Sequence, residues 1–277
     1  WRVRNAGVAG TTESLWTDRL VLSADEVLDA ADTELGRLTH TGALALDATY
    51  TASAAVRLPQ GIAGNFHLFI VADVNNNVFE FQFDGNNTGR TLQRIAVTEK
   101  PSPDLLVSTV SSAAAAQPGQ TLSIAWIVTN AGAGTATAPW IDRVYVSTDG
   151  TLSGARLLAA VPRGADLAPQ GDYSASADVT VPSVADGAYR VLVVTDDGNA
   201  VFEKNAEGVA AAEGNNLRAS DTVLQIGHPD LVPAITSAPA AATSGDAISF
   251  DWSVTNRGTA AALGQWVDRV FLSDDAN

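Results

Sequence analysis

The stretch Thr121-Leu122-Ser123-Ile124-Ala125-Trp126-Ile127-Val128-Thr129-Asn130 decides the fold. Leu122, Ile124, Trp126 and Val128 fall on one side of an extended chain at a period of two, the spacing of a strand with one buried face. The pattern returns further on, where Ile248, Phe250, Trp252 and Val254 alternate with Ser249, Asp251, Ser253 and Thr255. One apolar face opposed by one wet face marks an antiparallel sheet. Around this stretch, runs at 104–112, 140–147, 156–161, 173–181, 188–195 and 218–226 are strand-like and are separated by Gly, Pro, Asp and Asn clusters. They predict about seven short strands in this part of the chain. The only hint of helical periodicity is at Ser23 to Leu35.

The return of the pattern is a repeat, and a repeat must be found before the fold is assigned. Trp126-Ile127-Val128-Thr129-Asn130-Ala131-Gly132 recurs as Trp252-Ser253-Val254-Thr255-Asn256-Arg257-Gly258, and Trp1-Arg2-Val3-Arg4-Asn5-Ala6-Gly7 is a third copy. A second signature follows each: Trp16-Thr17-Asp18-Arg19, Trp140-Ile141-Asp142-Arg143 and Trp266-Val267-Asp268-Arg269. Pro103-Asp104-Leu105 matches Pro229-Asp230-Leu231, Tyr50 matches Tyr173, Gly64-Asn65-Phe66 matches Gly187-Ala188-Tyr189, and Asp84-Gly85-Asn86-Asn87 matches Glu213-Gly214-Asn215-Asn216. The expected organisation is a first copy over 1–100 without its opening strands, a whole copy over 101–228 and the opening part of a third over 229–277. The chain starts at Trp1 and contains no Met, which reads as a processed or cropped piece of a longer product. Thr98 to Pro103 and Gly227 to Pro229 are the expected joints, stiffened by their prolines.

Composition narrows the chemistry. The 277 residues are 46% apolar and 17% charged, enough to build cores. A formal charge of −15 opposes binding to nucleic acid, which needs a cationic face. With no Cys there is no disulfide, thiolate metal site or thiol nucleophile. No apolar run approaches the roughly 18 residues of a membrane helix, so no membrane insertion is expected.

These ordered blocks resemble the CARDB family, the cell-adhesion-related domain found in bacteria. The resemblance rests on the opening Pro-Asp-Leu, on Trp-x-Val-Thr-Asn-x-Gly, on Trp140-Ile-Asp-Arg-Val-Tyr-Val-Ser-Thr-Asp149, and on the closing Asp-x-x-Asn-x-Val-Phe-Glu with its Asn-Asn pair. It implies tandem immunoglobulin-like sandwiches on large surface or secreted proteins. The expected fold class is therefore all-β: tandem immunoglobulin-like, seven-stranded, antiparallel β-sandwich repeats.

The polar residues that close each copy are the candidate site. They are Asp73, Asn76, Glu80, Asp84, Asn86 and Asn87 in the first copy, and Asp196, Asp197, Asn199, Glu203, Glu213, Asn215 and Asn216 in the second. Carboxylate and amide oxygens gathered on one loop suit calcium, a hard cation that takes six to eight oxygens. Asp, Asn and Gly are equally the residues that build a turn through side-chain to backbone bonds. Asp25, Asp29 and Asp32 form a second acidic loop, with Asp149 and Asp275 as its remnants in the later copies. Asp142 shares a strand face with Trp140, Val144 and Val146, so it is expected to be a hydrogen-bonded, partly buried carboxylate, and the tryptophans to be core anchors. His40, His67 and His228 do not recur and have no ligand spacing, and no nucleophile elbow or phosphate loop is present, so the chain is not expected to be an enzyme.

The expected function is a structural and adhesive segment of a large extracellular bacterial protein, secreted or on the cell surface, giving reach and display and stiffened by calcium. The alternatives are a passive spacer or accessory module of a secreted enzyme, and a subunit of a self-assembling filament, sheath or surface layer. The partners are neighbouring repeats of the same chain, with other copies in an assembly or a surface receptor as further candidates. No cofactor other than calcium is expected.

Overall fold

A computed structural model describes residues 1–274 of the chain; Asp275 lies outside the described residues. It divides into two compact units, Trp1–Lys100 and the chain from Pro101 onward. Both are built mainly of antiparallel strand pairs, and among the described residues no helix is long and apolar enough to cross a membrane.

In the first unit β1 (Arg2–Arg4) pairs with β4 (Thr49–Thr51), while β2 (Leu15–Ser23) lies between β3 (Thr33–Thr41) and β5 (Gly64–Val71). Two short strands, β6 (Thr88–Arg90) and β7 (Ile95–Val97), pair with β5. Residues 24–32, where a helical period was hinted, form turns that lead into β3. Three of those nine residues are Asp, and their side chains bind nearby backbone amides in competition with a helix. Trp16, Leu44 and Val78 form a small core with Ala48 and Tyr50 against it. A cavity of about 1160 Å³ lies beside Trp1, Trp16, Leu20, Phe69 and Val78.

The second unit contains β8 (Leu105–Ser111), β9 (Ala115–Ala116), β10 (Thr121–Asn130), β11 (Trp140–Ser147), β12 (Arg156–Arg163), β13 (Asp172–Thr180) and β14 (Gly187–Val194). After α1 (Val209–Gly214) come β15 (Leu217–Ala219), β16 (Leu224–Ile226), β17 (Leu231–Ser237) and β18 (Asp251–Asn256). One sheet runs β13-β10-β8; the other runs β12-β11-β14-β16-β9, with β15 also on β14. The period of two in β10 is realised in full: Leu122, Ile124, Trp126 and Val128 are all buried. They share one core with Leu105 and Val107 of β8, Trp140 and Val144 of β11, and Val191 and Val193 of β14, so the inner faces of the two sheets pack on each other. Most expected strands begin and end within two residues of the observed ones; 218–226 splits into β15 and β16.

Three expectations need correction. The six residues by which the second copy exceeds the first between Glu203 and Glu213 end in α1, whose Val-Ala-Ala-Ala-Glu-Gly sequence is rich in the best helix former. Residues 266–272, whose Trp-x-Asp-Arg signature repeats that of the strand-like run 140–147 and leads to the same expectation of a strand, are in no ladder. Their counterpart β11 is held by β12 on one side and β14 on the other, and no such neighbours flank 266–272 among the described residues. For the same reason the tryptophans are not core anchors throughout: Trp16, Trp126 and Trp140 are buried, but Trp252 is 46% and Trp266 54% exposed.

Candidate functional site

The two closing aspartates have one geometry. Asp73 and Asp196 each adopt a left-handed backbone, φ 45° and 44°, as do Asn76 and Asn199 three residues later. Asp and Asn tolerate this conformation better than other side chains. The Asp196 carboxylate accepts the amides of Ala200 at 2.9 Å and Val201 at 2.8 Å; Asp73 accepts those of Asn77 at 2.9 Å and Val78 at 2.7 Å. Each aspartate thus closes the turn that follows it with both carboxylate oxygens. Burial pushes the Asp196 carboxyl above the ordinary range, against the pull of its two amides.

The glutamates act over longer distances. Glu203 is fully buried; its carboxylate accepts the backbone amide of Leu105, at the start of β8, and the Asn216 Nδ2 at 3.2 Å. In the first copy Glu80 accepts the Asn87 Nδ2 at 2.6 Å, so the Glu–Asn pair recurs. Desolvation pushes the Glu203 carboxyl up to about 8, and burial also raises that of Glu213. Asn215 donates to Asp104 Oδ1 at 2.9 Å. Asn130 Oδ1 accepts the amide of Asp104 at 3.1 Å and that of Gly132 at 3.0 Å, while its Nδ2 faces the carbonyls of Gly134, Leu167 and Ala168. The opening Pro-Asp-Leu, the Asn of the tryptophan signature and the closing Glu and Asn therefore meet at one end of the second copy. Spacing in the sequence did not show this convergence; the recurrence of these residues in each copy was the available signal.

Of the thirteen candidate ligands, Asp197 instead pairs with Arg143 and accepts the Tyr145 hydroxyl at 3.3 Å. Asp84 and Asn86 lie in an exposed turn of 3-10 helix. Three side-chain oxygens of the second copy, Glu213 Oε2, Asn215 Oδ1 and Asn216 Oδ1, are buried without a hydrogen-bond partner. Among the described residues no group of three or more His, Asp or Glu is placed to hold a metal ion. In the second acidic loop, Asp25 accepts the amide of Val27 and Asp29 that of Ala31, both at 2.8 Å. Asp149 accepts the Thr151 amide at 2.9 Å, which with the Ser147 and Thr151 hydroxyls holds its carboxyl below the usual range.

The two tryptophan signatures are joined to each other. Trp126 Nε1 donates to Asp142 Oδ2 at 2.8 Å, Trp1 Nε1 to Asp18 Oδ2 at 2.8 Å and Trp252 Nε1 to Asp268 Oδ2 at 3.0 Å. Tyr173 and Tyr50 add their hydroxyls to Asp142 and Asp18, each at 2.7 Å, and Thr195 donates to Asp142 Oδ1 at 2.9 Å. Asp142 is 1% exposed, more deeply buried than expected. Burial and the neighbouring carboxylate raise the Tyr173 hydroxyl out of the titratable range of ordinary buffers. Of the histidines, His67, buried, has Nδ1 at 2.9 Å from the Thr91 carbonyl, and His40 stacks on Tyr50 beside the Asp18 network.

The chain is an all-β protein whose whole copy packs two antiparallel sheets on one core, held by buried polar pins. Residues 102–219 match the model of the CARDB family, a family of β-sandwich domains. Among solved structures, the chain is similar to the CARDB domain of a Pyrococcus furiosus protein in complex with di-metal ions. The match has 20% identity, covers 45% of this chain and 89% of that one, and has a TM-score of 0.34. A solution structure of the same archaeal domain matches at 20% identity, over 46% of this chain and 97% of that one, with a TM-score of 0.33. A β-glucosidase from Erythrobacter marinus matches at 12% identity over 45% of this chain and 15% of the enzyme, with a TM-score of 0.30. No curated protein matches the chain.

Proposed function

We propose that the chain is a structural and adhesive segment of a large extracellular bacterial protein, in which immunoglobulin-like sandwiches follow one another and give reach and surface display. One observation carries this reading: the groups that recur from copy to copy are occupied in holding the fold. The Trp–Asp bond is present in all three copies and the Glu–Asn bond in two. A repeated polar group with a repeated structural duty is what an array needs, and a single catalytic cleft has no use for it. The test is labelling of intact, unpermeabilised cells with an antibody raised against residues 101–228. Labelling is expected; labelling only after permeabilisation overturns the extracellular reading.

Calcium as a stiffener of this array rests on the three partnerless oxygens of Glu213, Asn215 and Asn216. Oxygen ligands of this kind suit calcium, although a full shell takes six to eight of them. Thermal unfolding of residues 101–228 in calcium and then in chelator decides it: a higher melting temperature with calcium supports the ion, and coincident curves remove it.

A further inference from the structure

The second and third copies belong to one compact unit, and the contacts where they meet are specific. Asp186 stands on the rim of the second copy, in the residue before β14. Its two carboxylate oxygens are both taken: Oδ1 by the Nδ1 of His228, in the joint, and Oδ2 by the Thr259 hydroxyl of the third copy. The Thr259 Oγ1 also accepts the His228 amide at 3.3 Å, and the amides of Thr259 and Ala260 bond the His228 carbonyl at 3.0 and 3.2 Å. On the other side of the same turn, Gln117 donates its side-chain amide to the Ala261 carbonyl at 2.8 Å. At Gly258 the backbones approach so closely that only glycine fits, since a Cβ there would meet the His228 carbonyl at 2.2 Å; a Cβ on Gly227 would meet the side-chain Oγ1 of Thr259 at 2.6 Å.

We propose that Asp186 anchors a latch between repeats: a rim carboxylate that takes the imidazole of the joint and the hydroxyl of the following turn, and so fixes the direction in which the next repeat leaves. The partner that fits this rim is the Asn-x-Gly-Thr turn of a following copy, here Asn256 to Thr259. The proposal rests on the reading of the chain as repeats joined in series.

Two physical points support a directional role. A carboxylate held at both oxygens by donors from two segments resists rotation about either bond, as a single bond would not. Asp186 also abuts a strand of the central core, so its position is set by the sheet and not by a loose loop. The corresponding positions one repeat earlier are Ala63, Ser102 and Ala133, so no carboxylate stands at the first, no imidazole at the second and no hydroxyl at the third. The latch is therefore a property of particular joints in an array and is readable from three positions.

The absence of Cys allows the test to be made on the full chain. Cysteines placed at Ser174 of β13 and Ser253 of β18, both exposed, carry a donor and an acceptor dye. The distribution of transfer efficiency among single molecules then reports the angle between the copies. The expected result is one narrow peak in the parent, a broader and displaced distribution in Asp186→Ala, and the same broadening in Thr259→Val, with the unfolding midpoint of the second copy unchanged in both. If Asp186→Ala lowers that midpoint, Thr259→Val, which removes only the hydroxyl, decides by the same readout. Superimposable distributions in the parent and the deciding variant overturn the latch. The readout does not depend on where the protein resides, so failure here and failure of the extracellular reading are separate results.

Discussion

The carboxylate of Glu203 accepts the backbone amide of Leu105, a residue 98 positions earlier in the chain. The strand that opens the second copy is thus pinned by a glutamate of its closing segment. Lys204, next in sequence, adds a backbone bond from its amide to the Pro103 carbonyl at 3.1 Å.

The pin is titratable. Its folded-state value, about 8, lies above the ordinary glutamate value of 4.5, so the folded protein binds the proton more tightly than the unfolded chain. The contribution is therefore fully present at acidic pH and is lost as pH rises through the folded-state value, with a slope of up to about 1.4 kcal/mol per pH unit for one proton. Urea unfolding of residues 101–228 across this range should show the decline, and Glu203→Gln should flatten it. A parent whose stability does not fall from weakly acidic to alkaline pH contradicts the protonated pin.

Asp142 receives three side-chain donors in a site closed to water. Asp142→Ala leaves Trp126, Tyr173 and Thr195 without their acceptor and should cost about 3 kcal/mol or more. Tyr173→Phe removes one donor and should cost about 1 kcal/mol. Denaturant midpoints at unchanged m-value measure both.

Gly132 lets the opening segment cross the end of β10. A Cβ there would meet the Asp104 nitrogen, the Pro103 carbonyl carbon and the Ser102 oxygen, each at 2.5 Å. These are backbone atoms and cannot swing aside, so Gly132→Ala should destabilise by about 2–3 kcal/mol. A Cβ on Gly164 meets nothing within 4 Å, and Gly164→Ala should stay within about 0.5 kcal/mol of the parent.

The alternation of β10 and the face shared by Trp140 and Asp142 could be read directly, because a period of two is a local property. The turn chemistry of Asp73 and Asp196 was also legible, since each side chain bonds amides only four and five residues ahead. The Glu203–Leu105 pin was not, because a backbone amide leaves no mark on the sequence that says which distant carboxylate it meets. The exposed Trp252 shows a further limit of pattern: its strand has the same alternation as β10, yet burial depends on the opposing sheet and not on the strand itself.

The pairing of β9 with β16 bears on how such a chain behaves when stretched. These are the one parallel pair among the described strands of the second unit, joining Ala115 and Ala116 to Gln225 and Ile226 near the two ends of the copy. Pulling the ends apart draws the two strands past each other along their length, so their bonds are loaded in shear and break together rather than peeling one by one. A repeat wired in this way resists force up to a threshold and then yields abruptly.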